Sequence, residues 1–134
     1  MFMGFVRFQD LEVYQLAEAV ADSIWDIVWK GDTLARDTVG KQLIRAADSV
    51  GANIAEGIGR ASACDTRRFL RIARGSLMET QHWLRRAFRR KLLTADQTTT
   101  LQASMDKLPL KLNAFLKSIG KHRPTTGDLG STSK

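Results

Sequence analysis

Apolar side chains recur every three to four residues along most of this chain, and the alternation expected of strands is nearly absent. Leu11, Tyr14, Ala17, Ala21, Ile24 and Val28 form one such row. Val39, Leu43, Ala46, Ala47, Val50 and Ile54 form a second. A third runs through Phe69, Leu70, Ala73, Leu77, Thr80, Leu84, Ala87 and Phe88. A fourth takes in Leu101, Met105, Leu108, Leu112, Phe115, Leu116 and Ile119. That spacing places each row on one side of a helix. Four such stripes, joined by short connections, predict an all-α fold: an antiparallel up-and-down four-helix bundle.

Local signals set the expected boundaries. Asp10 is positioned to cap a helix over 10–30, with Gly31 suited to a left-handed closing position. A second helix over 34–58 is rich in small residues and ends at "EGIGRAS". The third, over 62–93, opens on "SACD", which is close to a capping box with Asp65 in place of Glu or Gln. The fourth opens at 94 on "TADQ", a full capping-box pattern. Pro109 is expected to kink it or divide it in two. The bundle is thus assigned to residues 1–119, and the aperiodic "GKHRPTTGDLGSTSK" of residues 120–134 to a flexible C-terminal tail.

A length of 134 residues suits one domain with a core of its own. The single cysteine, Cys64, excludes an intrachain disulfide framework and fits a reducing compartment. No apolar run reaches the length of a membrane span, and "MFMGFVRF" lacks the features of a signal peptide. The expected location is the cytoplasm, with no membrane partner.

The net charge of +7 is concentrated in one segment. Residues 60–91 carry ten Arg or Lys against Asp65 and Glu79, a local balance of +8, which leaves the rest of the chain at −1. A field of that sign favours phosphate or an acidic protein partner, and the other reading is a solvated helix face that only solubilises. Arg67, Arg71, Arg74, Arg85 and Arg89 recur at 3–4 spacing on one side of the third helix, and with Arg86 and Arg90 they are the candidate contacts to RNA or DNA. The segment holds no base-reading module, so backbone contacts with little sequence preference are expected. The alternative is a structural scaffold or adaptor that docks a protein partner.

Catalysis and cofactors find no support. Glu79 and His82 in "ETQH" have the spacing of one half of a di-iron site, but the second such motif is missing and His122 lies in the tail segment. Cys64 has no histidine near it in sequence for zinc or for nucleophilic chemistry. "GIGR" at 57–60 is too short for a nucleotide fingerprint. No catalytic residue, metal ligand or cofactor site is assigned.

The stretch "NIAEG", 53–57, instead reads as internal fastening. Ser49, Asn53 and Glu56 share one face of the second helix, and Ser76 and Glu79 can share a face of the third. These five are expected to form a polar network between the two helices, with Gly57 permitting the turn that follows. Trp25, Trp29 and Trp83 read as core residues, or alternatively as subunit contacts.

"FQDLEVYQLA" (8–17), "QLIRAADSVGANIAEGIGR" (42–60) and "FLRIARGSLMET" (69–80) occur together in that order. This combination resembles the proteins encoded in intervening sequences of bacterial 23S rRNA genes, the S23 ribosomal protein family. It is also similar to the accessory variability protein of diversity-generating retroelements. The likeness covers about residues 8–119 and rests on Asn53, Glu56, Gly57, Arg60, Phe69, Ser76 and Glu79. It implies a basic four-helix bundle assembled as a ring-like homopentamer. The retroelement likeness further implies nucleic-acid binding and a partner encoded nearby, such as a reverse transcriptase. Asp48 and Gly51 depart from the residues that relatives carry at those places.

Overall fold

Four long helices make up most of the computed structural model, which describes residues 7–121. They are α1 (Glu12–Trp29), α2 (Lys41–Ile58), α3 (Ala63–Arg89) and α4 (Ala95–Lys121). No strand occurs among the described residues. Each helix packs on the next and α4 packs back on α1, so α1 and α3 lie diagonally across the core. The tail segment beyond 121, His122 included, lies outside the described residues. None of the described helices is long and apolar enough to cross a membrane.

The helix ends differ from expectation in instructive ways. Asp10 does not cap α1; it lies in a short 3-10 turn, Phe8–Asp10, beside Arg7 at 3.7 Å. Leu11 occupies the capping position without a side-chain hydrogen bond. Gly31 is not left-handed. The bend is set instead by Asp32, whose Oδ1 accepts from Ala35 N at 2.9 Å and opens a turn over Thr33–Ala35. A wider π-helical stretch, Arg36–Gly40, leads into α2. There a glycine is required, because a Cβ on Gly40 would sit 2.5 Å from Val28 Cγ1. Ser62 caps α3 through Asp65 N at 3.1 Å, and Asp65 turns to Arg68 instead of completing a box. The "TADQ" box is reciprocal: Thr94 Oγ1 accepts from Gln97 N at 3.1 Å, and Gln97 Oε1 from Thr94 N at 2.9 Å.

Pro109 does not divide α4, which runs unbroken through it. Proline cannot donate to the carbonyl four residues back, a cost of about 3 kcal/mol in a helix interior. Leu108 and Leu112, both fully buried, offset it on the core side. Burial is worth about 1.5–3 kcal/mol per large aliphatic side chain.

The core joins all four helices through Ile24, Ile54, Leu70, Leu77, Leu108 and Leu112. All six members of the second row are buried. In α1 the buried row is Val13, Ala17, Val20, Ile24 and Val28, while Leu11, Tyr14 and Ala21 flank it. Thr80 is the one fully buried polar side chain among the large core residues, and its hydroxyl donates to Ser76 O at 2.8 Å. Trp83 packs against the core, but Trp25 and Trp29 do not: they are 49% and 62% exposed and stack on each other outside it. Each lies one residue past a core position, about 100° round the helix. Phe88 likewise leaves the third row and is 55% exposed.

Candidate nucleic-acid interface

The polar residues of "NIAEG" divide into two groups. Ser76 Oγ donates to Ser49 Oγ at 2.9 Å across the α2–α3 contact. Asn53 Nδ2 donates to Ser49 O at 2.8 Å and to Ser49 Oγ at 3.0 Å. These three form the link between the helices. Glu56 and Glu79 stand outside it, because both are exposed and find partners four residues further along the chain. Glu56 accepts from Arg60 Nη2 at 2.6 Å, and Glu79 from Trp83 Nε1 at 3.3 Å. Gly57 does not make a turn; it lies within α2, where its missing side chain lets α3 approach. A Cβ there would stand 3.2 Å from both Phe69 Cβ and Thr66 O. Thr66 Oγ1 uses this closeness to donate to Gly57 O at 2.9 Å, a buried bond.

The arginines are likewise sorted by their surroundings. Arg60 and Arg68 each place a guanidinium 4.6 Å from the centre of the Phe69 ring, and each is paired with its own acid, Glu56 or Asp65. Arg74 Nη1 donates to Asn113 Oδ1 of α4 at 3.3 Å. Arg67 is half-buried and its Nη1 is sealed without an acceptor. Arg71, Arg85, Arg86, Arg89 and Arg90 make no side-chain hydrogen bond or ion pair among the described residues, and all but half-buried Arg86 are exposed. From Arg71 to Arg89 the row spans about 27 Å, or about eight steps of a nucleic-acid strand.

Lys91 extends that row at a conformational cost. Its φ is 60°, the only positive value at a non-glycine position among the described residues. Leu92 N bonds Ala87 O at 2.9 Å and Lys91 N bonds Phe88 O at 3.0 Å, which closes α3 as a Schellman motif. Glycine usually fills this left-handed position; a side chain there costs about 1–2 kcal/mol. Here a cation stands beside Arg89 and Arg90 instead.

Charge is segregated across the bundle. α1, diagonal to α3, carries Glu12, Glu18, Asp22 and Asp26 and no basic residue. Glu12 is neutralised by Lys111 of α4 at 3.1 Å. Between α1 and α2 lies a groove of about 300 Å³ lined by Glu18, Asp22 and Asp48. Burial, and then the Asp22 charge, holds the Asp48 carboxyl above its ordinary range. Tyr14 in the same groove is raised by burial first and then by Glu18, to which its hydroxyl donates at 3.2 Å. Gly51 faces the Tyr14 ring, with its missing Cβ 3.4 Å from Cε1. The bundle thus has an acidic side and a basic side.

A family model described as 23S rRNA-intervening sequence protein matches residues 9–114, a span that takes in α1, α2, α3 and most of α4. The chain belongs to that family. A crystal structure of a protein of unknown function from the S23 ribosomal protein family, from Bacteroides thetaiotaomicron, is similar to it with a TM-score of 0.69 and 25% identity. The match covers 78% of this chain and 98% of that one. No curated protein matches. Family membership fixes the fold and leaves the choice of ligand to the side chains.

Those side chains include one, Phe88, whose exposure the row pattern does not reveal. Phe88 and Arg85 line an open groove of about 400 Å³ between α3 and the start of α4. The pattern at Phe88 matches the core row, yet its side chain is 55% exposed and lines this groove. Glu79 and His82 are both exposed, and among the described residues no three potential metal ligands gather. Cys64 is exposed at the first turn of α3.

Proposed function

We propose that this chain is a non-enzymatic, cytoplasmic protein that binds RNA or DNA through the backbone phosphates, with low sequence specificity, using the arginine face of α3. The observation that carries this reading is the row Arg71, Arg85, Arg86, Arg89 and Arg90, unpaired among the described residues and set diagonally to an acidic helix. Guanidinium groups without internal partners remain available for bidentate phosphate contacts. The acids of α1 repel a polyanion from the far side and so orient it. Binding measured by fluorescence anisotropy at several salt concentrations tests the reading. If each of the five arginines meets one phosphate, log K falls against log salt on duplex DNA with a slope of about −4 to −5 per protomer. A slope near zero would overturn the reading and favour an acidic protein partner.

The proposal includes the ring-like homopentamer. Trp25 and Trp29 are stacked with a ring separation of 5.8 Å, and Leu34 nearby in sequence is 74% exposed. Such side chains are enriched where subunits meet. Five copies of the basic face would add avidity to weak phosphate contacts. Light scattering on the purified protein is expected to give a mass five times that of the 15.0 kDa chain; a monomer mass would remove the ring.

A further inference from the structure

The groove between the end of α3 and the start of α4 differs in character from the arginine row beside it. It is open, about 400 Å³ in volume, and floored by Leu84, Leu101 and Met105. Phe88 forms one wall with 55% of its surface exposed. Gln81, Gln102 and Asp106 stand at its polar side, and Gln102 Nε2 donates to Asp106 Oδ1 at 2.8 Å. Arg85 lines the same groove, and Arg89 lies one turn further along α3. A duplex presents phosphates but keeps its base faces stacked inside, so it offers nothing to an aromatic wall. A single strand offers both phosphates and free base faces.

Resting on the nucleic-acid reading above, we propose that this groove is a base-binding subsite and that the preferred ligand is single-stranded nucleic acid. A base stacks on Phe88 over the apolar floor. The adjoining phosphates lie on Arg85 and Arg89. Gln81 supplies amide donor and acceptor groups to the base edge, and the Asp106 carboxylate accepts from an exocyclic amino group. The volume is within the range of small-ligand sites, about 300–1,000 Å³. The same π-face is present on every base, so sequence preference is weak.

Anisotropy titrations of labelled DNA and RNA single strands, and of the matching duplexes, test this at one fixed salt concentration. The proteins are wild type, Phe88→Ala, Phe88→Tyr and the arginine quadruple variant R85E/R86E/R89E/R90E. Phe88 is largely exposed, so its removal leaves the core intact, and a thermal melt checks this. The expected result is single-strand binding about tenfold weaker for Phe88→Ala, with duplex binding and salt slope unchanged and Phe88→Tyr close to wild type. Wild-type affinity of Phe88→Ala for single strands, or an equal loss on strands and duplexes, would overturn the subsite. Failure of the broader reading is distinct: the arginine quadruple variant would then bind as wild type.

Discussion

R85E/R86E/R89E/R90E is expected to bind nucleic acid on the order of a thousandfold more weakly than wild type at moderate salt. Charged hydrogen bonds contribute about 1.5–3 kcal/mol each when formed and aligned. At an exposed, loosely aligned surface about 1 kcal/mol per arginine is the appropriate figure, and four give about 4 kcal/mol. The substitution also replaces four positive charges by four negative ones in the last turns of α3. Glutamate there opposes the helix dipole by about 0.3–1 kcal/mol per residue, so some loss of stability is expected as well. A parallel Arg→Gln quadruple variant separates the two effects, since it removes the cations without adding repulsion. Binding curves for wild type and both variants, each with its thermal melt, give the answer. Two folded variants that bind as tightly as wild type would exclude this face.

Gly57→Leu is expected to cost the fold about 2–4 kcal/mol, a fall in Tm of roughly 10 °C for a chain of this size. Even a single Cβ stands 3.2 Å from Phe69 Cβ and from the backbone oxygen of Thr66. The carbonyl belongs to the first turn of α3 and cannot yield without moving that helix. Four added carbons therefore wedge α2 from α3 and break the buried Thr66–Gly57 hydrogen bond of 2.9 Å. Overpacking accounts for about 1–3 kcal/mol and the lost hydrogen bond for about 0.5–1.5 kcal/mol, since the Thr66 hydroxyl keeps Ser62 O at 3.1 Å and Gly57 O still accepts from Arg60 N at 3.2 Å. Gly59→Ala is the control, because its nearest neighbours stand at 3.5 and 3.8 Å and its φ of −78° suits alanine. Calorimetric melts of the three proteins decide the matter. A Gly57→Leu protein that melts with wild type would show that the close approach is not needed.

Much of the bundle was legible because a helix stripe repeats regardless of what covers it. The second row was read correctly in full: all six residues are buried. α1 was harder because it is apolar on more than one side, so a stripe through Leu11, Tyr14 and Ala21 competed with the buried one through Val13 and Val20. Periodicity marks a face but not how fully a neighbour covers it, which is why Phe88 fits the core row and yet lies in an open groove. The three-residue link of Ser49, Asn53 and Ser76 could be anticipated from spacing. Glu56 and Glu79 could not be separated from it, because side chains so spaced also bond to residues four further along the chain, and those local bonds prevailed. Gly57 differs from expectation for a related reason: in sequence, a glycine near a helix end signals a turn, and only the neighbouring helix shows that it is a contact point.

The two fastenings between α2 and α3 have a joint consequence. Ser49 meets Ser76, and Gly57 receives Thr66. Along α2 these points are about 12 Å apart, and along α3 about 15 Å. Sliding α3 by one turn, about 5.4 Å, would carry a bulky Leu70 or the Ser62 cap to the gap at Gly57 and draw both hydroxyls from their partners at once. Greasy helix faces on their own tolerate such slips, since one aliphatic residue replaces another. Two notches set at unequal distances act as a key with two teeth, which fits its lock in a single position.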